Sequence, residues 1–224
     1  MKLSFPDVGL SISFEENVVE VVNAESKAVL LDIVWGLNNL FSGKDSSIFL
    51  YEGDKELEIT KRGEFIYNPF AISFNDKKFI SRLYQELGMM VEEEMVSELT
   101  QINSVLVGFI DSLIDKQHYN LIARDEISAQ DIFKLCELRF NCDEDGLLNR
   151  LVEYVKLAHS VLKKDLFIFI GLKKFFDGEE LEGFYEACLY EKVNLLMIED
   201  RFVSKLKHER NCIIDRDLCI IEVD

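Results

Sequence analysis

Residues 163–199 read KKDLFIFIGLKKFFDGEELEGFYEACLYEKVNLLMIE, and this stretch decides the fold class. Leu166 to Ile170 is an unbroken apolar run, Gly178 to Tyr190 has helical character, and Val193 to Ile198 is again apolar with one asparagine. Apolar runs without polar alternation predict strands buried on both faces. A helix between two such strands predicts a right-handed βαβ unit with a parallel pair, so the chain is α/β.

The same elements extend outward from this unit. Downstream, Cys212 to Ile214 and Leu218 to Val223 form a closing hairpin or edge around Asp215 to Asp217. Upstream, Leu10, Ile12 and Phe14 alternate with serines and Val18 to Val22 is rich in valine, which predicts two strands of a twisted sheet. From Ser26 to Phe41 the apolar residues follow helical spacing and stop at Gly43. Short strands fit Ile48 to Tyr51 and Glu64 to Tyr67, and Asn75 caps a helix running to about Leu87.

The middle of the chain reads differently. Met95, Leu99, Ile102, Leu106, Phe109 and Leu113 step by 4, 3, 4, 3 and 4, a heptad seam that predicts one long helix from Met89 to Asp115. Its expected partner is Asp145 to Leu162, where Leu148, Leu151, Val155, Ala158 and Leu162 repeat the spacing. A shorter helix starts at Ser128, which forms a capping box with Asp131. Residues 1–88 and 161–224 are therefore expected to make an α/β head domain, and residues 89–160 a helical leg.

With 224 residues, 48% of them hydrophobic and only 2 prolines, the chain is long and apolar enough to bury one sizeable core or two small ones, and disorder is excluded. The 25 Lys and Arg against 42 Asp and Glu give a net charge of −17, so any DNA contact requires cations gathered in one place. Charges at Glu15 and Glu16 precede any long apolar stretch, and no apolar run approaches the roughly 20 residues of a membrane span, so a cytoplasmic protein is expected. Five cysteines, Cys136, Cys142, Cys188, Cys212 and Cys219, with no C-x-x-C pair argue against a disulfide framework or a zinc ribbon.

Gly36 to Asp45 superficially resembles a phosphate-binding loop. Six residues separate its glycines where four are needed, Asp45 replaces the magnesium-binding hydroxyl, and the segment sits at a helix C-terminus. Glu199 and Asp200 end a strand as the acids of nucleoside triphosphatases do, but without a glycine loop they cannot hold a nucleotide that way. His118, His159 and His208 lie in no metal or triad motif. Asp115, Asp125 and Glu126 flank one helix junction, and Asp143, Glu144 and Asp145 the next, where hard oxygens suit calcium although the EF-hand spacing is absent. Much of the positive charge collects in Lys61-Arg62, Lys77-Lys78 with Arg82, Lys163-Lys164, Lys173-Lys174, and Arg201, Lys205, Lys207 and Arg210. Lys78 and Arg82, one helical turn apart, can reach a phosphate backbone together.

Lys163-Lys164 before Leu166 to Ile170, the strand Asn194 to Glu199, and the turn Cys212-Ile213-Ile214-Asp215-Arg216-Asp217 resemble the ring-forming CRISPR-associated adaptation protein of type II-A systems. The resemblance implies a degenerate P-loop-NTPase-like head, an inserted helical leg, and a closed ring homotetramer. Double-stranded DNA ends would thread a basic hole without nucleotide hydrolysis, structural calcium would support the ring, and the adaptation integrase and type II effector nuclease would be partners. Lys61, Arg62, Lys77, Lys78 and Arg82 are the candidates to line the hole, and Asp115, Asp125 and Glu126 to bind calcium. Gln117, His118 and Tyr119 stand where relatives are often acidic.

Two other function classes fit the same residues. A divergent nucleoside triphosphatase would depend on Glu199 or Asp200, and an acidic helical interaction module would use the seam from Met95 to Leu113.

Overall fold

The computed structural model of the protein describes residues 1–141 and 146–223. In chain order the elements are β1 (Lys2–Phe5), β2 (Leu10–Ser13), β3 (Val19–Ala24), α1 (Lys27–Phe41), β4 (Phe49–Glu52), β5 (Lys55–Leu57), α2 (Ile59–Arg62) and β6 (Gly63–Ile66). There follow α3 (Lys77–Glu94), α4 (Val96–Ile114), α5 (Ala129–Leu135), α6 (Leu147–Leu162), β7 (Leu166–Ile170), α7 (Gly178–Tyr190), β8 (Asn194–Glu199), β9 (Glu209–Ile214) and β10 (Ile220–Val223). Two compact units divide the chain: Met1–Ser73 with Cys142–Asp224, and Phe74–Asn141. The division falls at 73/74 and 141/142, where the sequence pattern had placed it at 88/89 and 160/161. Helix α3 belongs whole to the second unit, and α6 to the first.

The first unit is built on a six-stranded sheet of order β10-β9-β3-β8-β7-β6. All pairs are parallel except the closing β9–β10 hairpin. The β7–α7–β8 segment is the parallel unit that its apolar runs predict. Side chains alternate across the sheet. One face presents Val22, Leu166, Ile168, Leu196 and Ile198 to α1 and to β1, β2 and β4, forming one buried cluster with Leu3, Ile33, Leu37 and Leu50. The opposite face carries Phe167, Phe169, Leu195 and Met197, and there Phe169 meets Phe184 of α7 edge-on at 5.4 Å. Burial on both faces is the physical reason these strands lack polar alternation.

A separate antiparallel sheet, β2-β1-β4-β5, covers part of the first face. Strands β2 and β3, expected in one sheet, thus lie in two. Helix α1 comes close to the Ile48 side chain because Gly36 has no Cβ: one added there would sit 2.8 Å from Ile48 Cδ1. Gly43, with φ of +68°, follows the end of that helix in a left-handed conformation that glycine adopts without strain.

The second unit is helical. Asp76, rather than Asn75, caps α3, its carboxylate accepting from the Lys78 and Phe79 amides. The expected single helix from Met89 to Asp115 is two helices broken at Met95, whose φ and ψ of −129° and 27° leave the helical region. Glu92, Glu93 and Glu94 stand at the C-terminal end of α3, where the negative end of the macrodipole disfavours acids. The Ser128–Asp131 capping box of α5 is formed as its spacing predicts. In α6, expected to cover the seam, Leu151, Val155 and Ala158 are buried within the first unit. No residue of α4 is buried, and Val105 and Phe109 on its apolar face are 72% and 60% exposed. No helix among the described residues is long and apolar enough to cross a membrane.

Candidate functional site

The carboxyl ends of parallel strands are where α/β sheets hold ligands, and here they are closed by the protein's own groups. Between β3 and α1 only Glu25 and Ser26 intervene, with no glycine and no loop to cradle a phosphate. Gly36 to Phe41 is helical, so the glycine pair reads as helix and helix stop. After β7 the chain folds back over β8: the Gly171 amide donates to the Ile198 carbonyl at 2.8 Å, and the Lys173 amide donates to Glu199 Oε1 at 3.0 Å.

Beneath this loop lies a buried polar network that the sequence did not reveal. Lys173 Nζ pairs with Glu209 at 2.7 Å, the Tyr185 hydroxyl donates to Glu209 at 3.0 Å, and Asn211 Nδ2 donates to Glu209 at 3.0 Å. Asn23 Nδ2 in turn donates to Asn211 Oδ1 at 3.1 Å. Glu199 is 2% exposed, and burial pushes its carboxyl up to about 6 despite the Lys173 amide and the charges of Lys173 and Lys174. Asp200 pairs with Lys174 at 3.2 Å. Both candidate catalytic acids are therefore engaged in holding the loop. The only sequence signal for the network was two lysines following a strand and a glutamate opening another.

The candidate DNA contacts separate into two groups. Lys61 and Arg62 belong to the first unit. Arg62 directs both Nε, at 2.8 Å, and Nη2 onto Asp165 Oδ2, and Lys61 pairs with Glu58 at 2.6 Å. Arg62 is thus a strut between α2 and the start of β7, and its partner lies 103 residues away. Lys77, Lys78 and Arg82 belong to the second unit. Lys77 and Lys78 are exposed in the first turn of α3, with Lys78 Nζ 5.6 Å from the centre of the Phe79 ring; Arg82 is tied to Glu86 at 3.1 Å and to Gln85 at 3.0 Å on its own helix. The other basic clusters are largely consumed. Lys164, Lys173, Lys174, Lys207 and Arg210 each face a carboxylate.

Asp115 follows the end of α4, and Asp125 and Glu126 lie in the segment before α5; all three are exposed. Among the described residues no three His, Cys, Asp or Glu side chains are grouped to hold a metal ion. Asp143, Glu144 and Asp145 lie outside the described residues, as does Cys142. Cys188 is buried and its thiol pushed up by desolvation, Cys212 is pushed up to about 11 chiefly by burial, and neither is poised as a nucleophile.

Fold and site together define a parallel α/β protein with an additional helical unit, a closed strand-end crevice and exposed cations on one helix. The family model described as CRISPR-associated protein (Cas_Csn2) matches residues 40–218. The chain belongs to this CRISPR adaptation family. No curated protein matches it.

Proposed function

We propose that this protein is a non-enzymatic ring of four copies that holds double-stranded DNA by its ends during spacer acquisition, beside the adaptation integrase and the type II effector nuclease. The observation that carries the reading is the family match over residues 40–218, on a sheet whose strand ends are filled by the protein's own side chains. The first unit is then a degenerate P-loop-NTPase-like head that keeps the parallel framework and uses the strand ends for internal support. Lys77 and Lys78 supply phosphate contacts, which position a duplex without reading its sequence. The exposed apolar face of α4 supports assembly, since burying it needs a further helix. Calcium would serve as a structural ion of the assembly, held by Asp115, Asp125 and Glu126.

The test is a salt-titrated binding assay with linear and covalently closed duplex of the same sequence, with and without calcium. Binding to the linear form alone, weakening as salt rises, is the expected result. Equal binding to both forms would remove end-threading. ATP hydrolysis that depends on Glu199 would overturn the non-enzymatic reading.

A further inference from the structure

We infer that Lys134 and Arg139 form, with Lys77, a second phosphate-contacting row for the DNA backbone, on a groove that no sequence pattern marks. The inference rests on the DNA-binding reading above and deepens it.

The segment after α5 is fastened along α3 by paired backbone contacts. Asn75 accepts from the Phe140 amide at 2.9 Å and donates to the Phe140 carbonyl at 3.1 Å. The single Tyr84 hydroxyl proton is shared between the carbonyls of Phe133 and Leu138, at 3.2 and 3.1 Å, and its ring meets Phe133 at 5.6 Å. The Phe79 and Phe140 rings meet edge-on at 6.3 Å. These contacts set the register of residues 133–140 against the helix, so the cations between them have a defined place.

Between the two segments runs a groove of about 480 Å³, lined by Ser81, Tyr84, Lys134, Glu137 and Arg139 among others. Lys77 stands four residues before Ser81 on the same stripe of α3, which extends the groove's charge by one turn. Lys77, Lys134 and Arg139 are exposed, and none forms an ion pair with a carboxylate among the described residues. This separates them from Arg62, Arg82, Lys173 and Arg210, whose charge is already spent on neighbouring acids. Glu137 is the one carboxylate in the groove wall, and it opposes a phosphate there. Cations without an ion-pair partner among the described residues, set on a concave surface with the Ser81 hydroxyl, have the chemistry of phosphodiester recognition.

The experiment compares the full chain, its K134Q/R139Q double variant and Glu137→Gln for binding to a linear duplex across a salt series, with sedimentation to follow assembly. Each phosphate contact contributes about 0.9 to the slope of log affinity against log salt, so the double variant should flatten that slope by about 2. Its affinity should fall at least about tenfold at low salt, with assembly unchanged. Glu137→Gln should tighten binding, a gain that misfolding cannot produce. If the unmodified chain binds no duplex, the DNA-binding reading itself fails. If it binds and the double variant matches it in affinity and slope, or loses DNA only because it no longer assembles, the groove is not a contact and DNA binding stands without it. Should the double variant not fold, unchanged binding by Glu137→Gln overturns the inference and tightened binding supports it.

Discussion

Replacing Glu199 by glutamine tests whether the strand-end acid is a structural strut or a catalytic group. The Glu199 carboxyl is 2% exposed and titrates near 6 in the folded protein, against 4.5 for the free side chain, chiefly because burial penalises its charge. Lys173, Lys174, Asp200 and Tyr185 are the ionisable groups coupled to it, the two lysines favouring its charge and Asp200 opposing it. Between these values the folded chain holds more protons than the unfolded one. The contribution of Glu199 is thus fully present below about pH 4.5 and is lost as pH rises through 6. The rise from 4.5 to about 6, at about 1.4 kcal/mol for each tenfold change in proton affinity, makes the loss about 2 kcal/mol. Glutamine keeps an oxygen to accept from the Lys173 amide, carries no charge, and has beside it on β3 Asn23, whose buried Oδ1 has no partner among the described residues. Glu199→Gln should therefore match the unmodified protein at pH 4.5 and exceed it by up to about 2 kcal/mol at pH 8. Chemical denaturation at a series of pH values, read as the difference between the two proteins, isolates this one group. A variant less stable by more than about 1 kcal/mol at pH 8, or a difference that does not change with pH, would refute the reasoning. Duplex binding should be unchanged.

Arg62→Gln should cost about 1–2 kcal/mol, because it strands a half-buried Asp165 whose Oδ1 already lacks a hydrogen bond among the described residues. The same variant should leave the salt slope of DNA binding untouched, whereas Lys77→Gln lowers it by about 1 unit; a lowered slope in Arg62→Gln would return that residue to the interface. Phe184→Ala removes a ring that is 1% exposed and stacked edge-on against Phe169, so the urea midpoint should drop by the equivalent of about 3–5 kcal/mol. A loss under about 1 kcal/mol would mean that α7 does not anchor this face of the sheet.

The parts of the fold legible in the sequence were those whose cause is local. Leu166 to Ile170 and Asn194 to Glu199 are buried on both faces and carry that burial as unbroken apolar runs. The Ser128 capping box is a contact between residues three apart, so its spacing is its structure. Strand β5 went unread because three residues carry too few side chains to establish a period. That β2 and β3 enter different sheets is a matter of which strands meet, and neither strand's residues record it. The heptad spacing through Met95 was real, but periodicity names a face and does not name what covers it. The same limit applied to the site. Lys61-Arg62 and Lys173-Lys174 look like basic patches in one dimension, and only the fold brings Asp165, Glu199 and Glu209 against them.

A net charge of −17 and DNA binding are reconciled by where the cations are unpaired, more than by how many there are. Screening sets the relevant scale: at physiological ionic strength a charge is felt over about 8 Å, so a phosphate in a groove responds to its wall and little to acids across the molecule. In the first unit Arg62, Lys164, Lys173, Lys174 and Arg210 are neutralised by carboxylates that also brace the sheet. Those residues cannot serve phosphate without releasing a structural partner, which would cost stability with every contact made. In the second unit Lys77, Lys134 and Arg139 carry no such obligation among the described residues, and the backbone bonds of Asn75 and Tyr84 hold them in place. These five cations of the first unit are therefore used internally, whereas Lys77, Lys134 and Arg139 stay available to a duplex.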